Sequence, residues 1–277
     1  MSLQKKTAAL LDLVRSYGSC AIAFSGGVDS AVVAKAAQLA LGDAAVAVTG
    51  ISASLAEGEL EAAQKIAAQI GIRHEILRTE EFNDPNYTAN PANRCYFCKT
   101  ELYDRMQPLA TQLGLAVIVN GANLDDAGDW RPGMKAAGEH CVYSPLLECG
   151  LTKADVRDLA AQWELAVWDK PASPCLSSRV AYGEEVTPQR LQMIDQAEQL
   201  LRSLNLRTVR VRYHRGDLAR LEVLADAISR LAEPETRQRV ATELKRLGFK
   251  YVTLDLEGFR SGSQNAAFDP AVSLPII

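Results

Sequence analysis

Along the first half of the chain, short unbroken apolar runs alternate with longer segments of helical pattern. Residues 20–24, 45–49 and 116–120 are apolar runs that suit buried parallel strands, and residues 73–78 alternate as a strand does. Residues 31–41 and 99–113 carry helical patterns. Ser54 and Glu57 have capping-box spacing and predict a helix through Gln69, stopped near Gly71. Thr152 and Asp155 repeat that signature for a helix ending near Trp163. Strands alternating with helices predict βαβ units and a parallel sheet, an α/β fold. The rhythm breaks at residues 169–182, where Pro171, Ser173, Pro174, Ser177 and Ser178 predict a loop. The expected division is a first domain of residues 1–170 and a second of residues 171–277. In the second, Thr187 and Pro188 open a helix that runs to about Leu204. Residues 207–213 alternate as a strand, residues 218–224 suit its partner, residues 235–247 are helical and residues 251–256 form a last strand, together a small α+β domain.

Composition narrows the class. With 277 residues, 48% hydrophobic and 23% charged, the chain has ordinary globular usage and is not disordered. A net charge of −4 and a pI near 5.5 give no long-range attraction to nucleic acid. No apolar run suits a signal peptide or a membrane span, so a cytoplasmic protein with reduced thiols is expected. The six cysteines (20, 95, 98, 141, 149 and 175) then read as ligands, nucleophiles or small buried residues, with Cys20 assigned to the core.

The first apolar run leads into Ser25-Gly26-Gly27-Val28-Asp29-Ser30. Gly26 and Gly27 permit close backbone approach, and the amides at the start of the following helix point at an anion. Ser25 and Ser30 add hydroxyl donors. Asp29 repels phosphate by itself and makes sense chiefly as a magnesium ligand. A simple strand-to-helix turn is the competing reading. The Walker and dinucleotide-binding glycine patterns are both absent. The loop resembles the PP-loop of the ATP pyrophosphatase superfamily. That resemblance implies cleavage of ATP between its α- and β-phosphates and an adenylylated substrate. Gly121-Ala122-Asn123, after the run ending at Asn120, is similar to a second nucleotide-facing loop of such proteins.

Cys95 and Cys98 stand three positions apart, a chelating span, followed by Lys99. Buried thiols, a redox pair and a metal site all remain open for them. Cys175 sits in a loop between Pro174 and Ser177. Together, the PP-loop, the Cys-x-x-Cys-Lys segment and Pro174-Cys175-Leu176-Ser177-Ser178-Arg179 resemble the LarE family of ATP-dependent sulfur transferases in nickel-pincer cofactor synthesis. The resemblance implies adenylylation of a carboxylate of pyridinium-3,5-dicarboxylate mononucleotide and its conversion to thiocarboxylate. It also implies a [4Fe-4S] cluster on Cys95, Cys98 and Cys175, ATP and Mg²⁺ as further requirements, and a homo-oligomer. In other members the cysteine at position 175 gives up its own sulfur.

Lys99 and Arg179 flank the sulfur residues and suit a developing negative charge on the carbonyl oxygen. Arg210 and Arg212 share one face of a strand and, with Ser178, suit the substrate phosphate. Glu198 is expected either to orient those arginines or to be a plain surface carboxylate. The rivals are a PP-loop tRNA thiolase, disfavoured by the acidic balance, an amidotransferase-like synthetase, which needs no placed cysteines, and a nucleotide-binding metal sensor without turnover.

Overall fold

The structure is a computed structural model that describes residues 1–128, 132–206, 208–260 and 263. The chain divides into two compact units, Met1–Pro174 and Cys175–Ile277.

The first unit holds a parallel sheet of β1 (Cys20–Ala23), β2 (Ala45–Ile51), β3 (Arg73–Arg78) and β4 (Val117–Val119), in the order β3-β2-β1-β4. Around it lie α1 (Leu3–Ser16), α2 (Val28–Leu41), α3 (Glu59–Ile70), the short α4 (Pro85–Thr88), α5 (Arg94–Gln112), α6 (Pro132–Glu139), the short α7 (Pro145–Glu148) and α8 (Lys153–Gln162). Strand alternation divides the core in two. Cys20, Ile22, Ala45 and Ala47 face a cluster containing α2, while Ala21, Val46 and Val48 face Tyr103, Met106 and Ala110 of α5. The alanines of α2 keep that helix thin, so α1, α3 and α8 all pack against it. Each fully buried Leu, Ile or Val in such a core contributes about 1.5–3 kcal/mol.

The chain leaves β1 toward β2 and β3 on one side and later places β4 on the other. The carboxyl ends of β1 and β4 therefore flank a topological switch point, where loops splay apart and α/β sheets bind ligands.

Several elements differ from their sequence expectations. Ser54 does not cap α3. Its hydroxyl is shared with Ser52 Oγ at 2.9 Å and the buried Glu81 Oε1 at 3.2 Å, and the helix starts later, behind Gly58 at φ 82°. The helix α2 starts at Val28, so Asp29 and Ser30 lie in its first turn. Similarly, α5 starts at Arg94, whose guanidinium is buried against Asn90 at 2.6 Å, and this puts Cys95 and Cys98 inside the helix. The Thr152–Asp155 capping box forms as expected, with Asp155 also bound by Lys6 at 2.6 Å. The Lys6 ammonium and the Thr152 amide hold the Asp155 carboxyl down at about 2.

The second unit packs β5 (Val209–His214), β6 (Leu218–Val223) and β7 (Tyr251–Leu254) with α9 (Pro188–Ser203), the short α10 (Ile228–Ala232) and α11 (Pro234–Arg246). Strands β5 and β6 are antiparallel, and β6 and β7 are parallel. Arg207, the expected start of the first of these strands, lies outside the described residues. Val209, Val211 and Tyr213 are buried. By alternation the opposite face carries Arg210 across from Glu222 and Arg212 across from Arg220.

Candidate active site

The loop after β1 closes on itself. Ser30 Oγ donates to Gly27 O at 3.0 Å and accepts from Ser25 N at 3.2 Å, and the two serine hydroxyls lie 3.2 Å apart. Gly27 caps α2 without any side-chain hydrogen bond, so the first-turn amides are not consumed by a capping side chain. Gly26 has φ 68°, and a Cβ there would lie 2.8 Å from Ala63 Cα of α3. Glycine is required both by the backbone angle and by the closeness of α3. Gly121 is held by a different constraint: a Cβ there would lie 2.8 Å from Ser30 N, so the loop after β4 rests directly on the loop after β1.

That second loop fixes Asp29. Asn123 is buried and donates through Nδ2 to Asp29 Oδ1 at 3.0 Å, while its own N donates to Asp126 Oδ2 at 3.0 Å and its Oδ1 accepts from Asp125 N. The other oxygen, Asp29 Oδ2, lies 2.5 Å from Lys153 Nζ, at the first position of α8. Sequence reasoning did not select Lys153. The signal was present in the capping box, which fixes where α8 begins, but 124 residues separate it from Asp29.

A cavity of about 430 Å³ opens here, lined by Ser25, Asp29, Ser30, Gly121 and Asp126 together with Cys95 and Lys99 of α5. Cys95 is exposed and Cys98 half-buried, and their i, i+3 spacing puts both on one side of α5. The exposed Cys175 belongs to the second unit. Among the described residues, no three His, Cys, Asp or Glu side chains gather into a metal site. The donor types nonetheless match both implied groups. Thiolates are the soft ligands of iron–sulfur clusters, and Asp29 with Asp126 supplies the hard oxygens that Mg²⁺ takes alongside phosphates.

In the second unit, Cys175 precedes a 3₁₀ turn, Leu176–Arg179. Its carbonyl accepts from Ser178 Oγ at 2.7 Å and from Arg179 Nη1 at 2.9 Å. Arg179 is 1% exposed, with Nε 3.0 Å from Glu198 Oε1. It shapes the Cys175 turn from within, whereas a group facing an oxyanion needs exposure to substrate. Glu198 is fully buried, not a surface carboxylate, and also accepts from Arg202 Nη2 at 2.7 Å and Val211 N at 3.2 Å. Arg212 pairs instead with the buried Glu222 at 2.8 Å and donates to Ser178 O at 3.0 Å. Its buried Nε has no hydrogen-bond partner among the described residues. Burial, together with the nearby Arg179, Arg212 and Arg202 charges, pushes Arg210 down to about 10. The Arg179, Arg202, Arg210 and Arg212 guanidiniums face the carboxylates of Glu198 and Glu222, an excess of positive charge that suits an anion.

The family described as NAD synthase matches residues 3–91, from α1 through α4. An uncharacterized protein of Synechocystis sp. is 47% identical over 263 residues, covering 95% of this chain and 98% of its own. The pyridinium-3,5-bisthiocarboxylic acid mononucleotide synthase of Lactiplantibacillus plantarum is 36% identical over 273 residues, covering 95% of each chain. The argininosuccinate synthase of Halobacterium salinarum is 28% identical over 166 residues, covering 54% of this chain and 40% of its own. Among the described residues, no helix is long and apolar enough to cross a membrane.

Proposed function

The chain belongs to the LarE family, the pyridinium-3,5-bisthiocarboxylic acid mononucleotide synthases, and on that premise we propose that it adenylylates a carboxylate of pyridinium-3,5-dicarboxylate mononucleotide and exchanges a carboxylate oxygen for sulfur. It is an ATP-utilising enzyme of sulfur transfer. The observation that carries the finer reading is the shared cavity, whose lining brings Cys95 and Lys99 together with Ser25, Asp29 and Ser30.

In the first step a substrate carboxylate oxygen bonds to the α-phosphorus of ATP and pyrophosphate leaves. The loop amides and the hydroxyls of Ser25 and Ser30 hold the phosphates, with Gly26 and Gly27 allowing their approach. Asp29, oriented by Asn123 and joined by Asp126, would hold Mg²⁺, which when bound supplies positive charge to the departing pyrophosphate. In the second step a sulfur nucleophile adds to the acyl carbon and AMP leaves with the former carboxylate oxygen. Lys99 offsets charge on the carbonyl oxygen. Cys95, Cys98 and Cys175 would hold a [4Fe-4S] cluster, which would supply transferable sulfide. Arg179 acts as a positioning residue for the Cys175 turn. Arg210, Arg212 and Ser178 bind the substrate phosphate, supported by the buried Arg212 Nε, which has no hydrogen-bond partner among the described residues, and Glu198 anchors Arg179 and Arg202 beside them.

A second reading, donation of the Cys175 sulfur itself, is favoured by the exposure of that thiol. Anaerobic purification followed by iron and acid-labile sulfide analysis separates the two. The cluster reading predicts about four of each per chain, lost in both Cys95→Ala and Cys175→Ala. Iron-free wild-type protein in which Cys175 loses its sulfur on turnover sinks the cluster and leaves the sacrificial route.

A further inference from the structure

After α8 the chain runs through residues 163–174 to Cys175 without forming a helix or a strand. Pro171, Ala172, Ser173, Pro174 and Cys175 are all exposed, so apolar burial does little to hold them. Polar contacts within the first unit hold the approach to Cys175 instead. Arg157 of α8 donates from Nη1 to Trp168 O at 2.8 Å and from Nη2 to Lys170 O at 3.1 Å. Glu59, in the first turn of α3, takes one partner on each carboxylate oxygen. Lys170 Nζ lies 2.8 Å from Oε2, and Ser173 Oγ lies 3.1 Å from Oε1. The Lys170 and Glu59 side chains are 26% and 25% exposed, so solvent and salt screen this pair less than one on the open surface.

Glu59 stands one helical turn before Ala63, on the same side of α3. Ala63 is the residue that the phosphate loop meets at Gly26, where a Cβ would lie 2.8 Å from its Cα. One side of α3 therefore both backs the loop of residues 25–30 and holds the segment that leads to Cys175. Ser173 precedes Cys175 by two residues, and two residues of extended chain span at most about 7 Å. Anchoring Ser173 thus fixes the point from which Cys175 reaches out.

We propose that Glu59 is a positioning residue for sulfur transfer, whose clasp on Lys170 and Ser173 restricts the excursions of Cys175 and so favours sulfur over water as the attacker of the acyl-adenylate. When the clasp is open, the oxygen of water adds to the acyl carbon, AMP leaves, the carboxylate is regenerated and two protons pass to solvent. ATP is then converted to AMP and pyrophosphate without sulfur transfer. Neither Glu59 nor Lys170 is among the residues lining the cavity at the phosphate loop, so the clasp acts through Cys175 and not by touching the nucleotide. The proposal rests on the reading of Cys175 as the residue that carries sulfur or holds the cluster.

Two readouts on the full chain test it, with thermal melts checking that each variant is folded. The first is hydrogen–deuterium exchange at the amides of Ala172 and Ser173, with α8 as the internal reference. Glu59→Gln and Lys170→Met are each expected to speed that exchange about three- to fivefold, the scale of one partly buried ion pair. The double variant is expected to match either single one, because both substitutions remove the same contact. The second readout is the ratio of thiocarboxylate formed to pyrophosphate released in anaerobic turnover, expected to fall by a similar factor in each variant. Unchanged exchange in both single variants, or effects that multiply in the double variant, overturns the clasp. Faster exchange with an unchanged ratio overturns the role in sulfur transfer and leaves a purely structural contact. If Cys175→Ala keeps the wild-type ratio, the reading of Cys175 fails first and the proposal falls with it, whatever the exchange rates show.

Discussion

Asp29→Asn is expected to lower pyrophosphate formation roughly 10²–10³-fold while leaving the protein folded. A metal-bound leaving group is worth several kcal/mol of transition-state stabilisation, and each 1.36 kcal/mol is about tenfold in rate. Asparagine keeps the volume and can still meet Asn123, which lies 3.0 Å from Asp29 Oδ1. What it loses is the charge that both Lys153 and a metal require. The loss is read as pyrophosphate released per unit time at saturating ATP. A variant within threefold of wild type would remove Asp29 from the chemistry and leave the loop as a helix cap.

Glu198→Ala is expected to destabilise the second unit by roughly 3–5 kcal/mol, the usual effect of removing one partner of a buried ion pair. Glu198 is fully buried and accepts from Arg179, Arg202 and the amide of Val211. Its removal takes away the carboxylate paired with the buried Arg179 guanidinium and leaves less negative charge beside Arg202, Arg210 and Arg212. Urea denaturation measures the effect. Glu198→Gln should recover part of the loss, because it can still accept from Val211 N. A change below about 0.5 kcal/mol, the range of an ordinary surface substitution, would contradict this reading. Added inorganic phosphate should narrow the gap by stabilising the variant more than wild type, since an anion at the uncompensated arginines stabilises only the folded form.

Three strands of the parallel sheet, β1, β2 and β4, were legible because they are largely buried on both faces. The runs at β1, β2 and β4 are apolar at successive positions, so strand and helix separated cleanly by length and by the glycines that follow. Capping signatures divided according to competition for the side chain. Thr152 had no rival partner and capped α8, whereas Ser54 met Ser52 and the buried Glu81, which took its hydroxyl. The start of α5 was hidden because Arg94, a residue that normally faces solvent, is buried there against Asn90. Short helices such as α7 and α10 carry too few residues for a period to show.

The chemistry of the loop at residues 25–30 was readable from residue types at fixed spacing. Long-range partners were not. Nothing in the local sequence ties Lys153 to Asp29 or Arg179 to Glu198, because those contacts depend on which loops meet at the switch point of the sheet and on how α9 packs beside β5.

The central claim is ATP-dependent replacement of a carboxylate oxygen by sulfur. The direct measurement is mass spectrometry of pyridinium-3,5-dicarboxylate mononucleotide after anaerobic incubation with the enzyme, ATP, Mg²⁺ and sulfide, with AMP and pyrophosphate quantified in the same sample. The account predicts a product in which sulfur has replaced oxygen, formed with matching amounts of AMP and pyrophosphate and absent when ATP is withheld. ATP converted to AMP and pyrophosphate with no sulfur in the substrate, or substrate left unchanged with ATP intact, would contradict it.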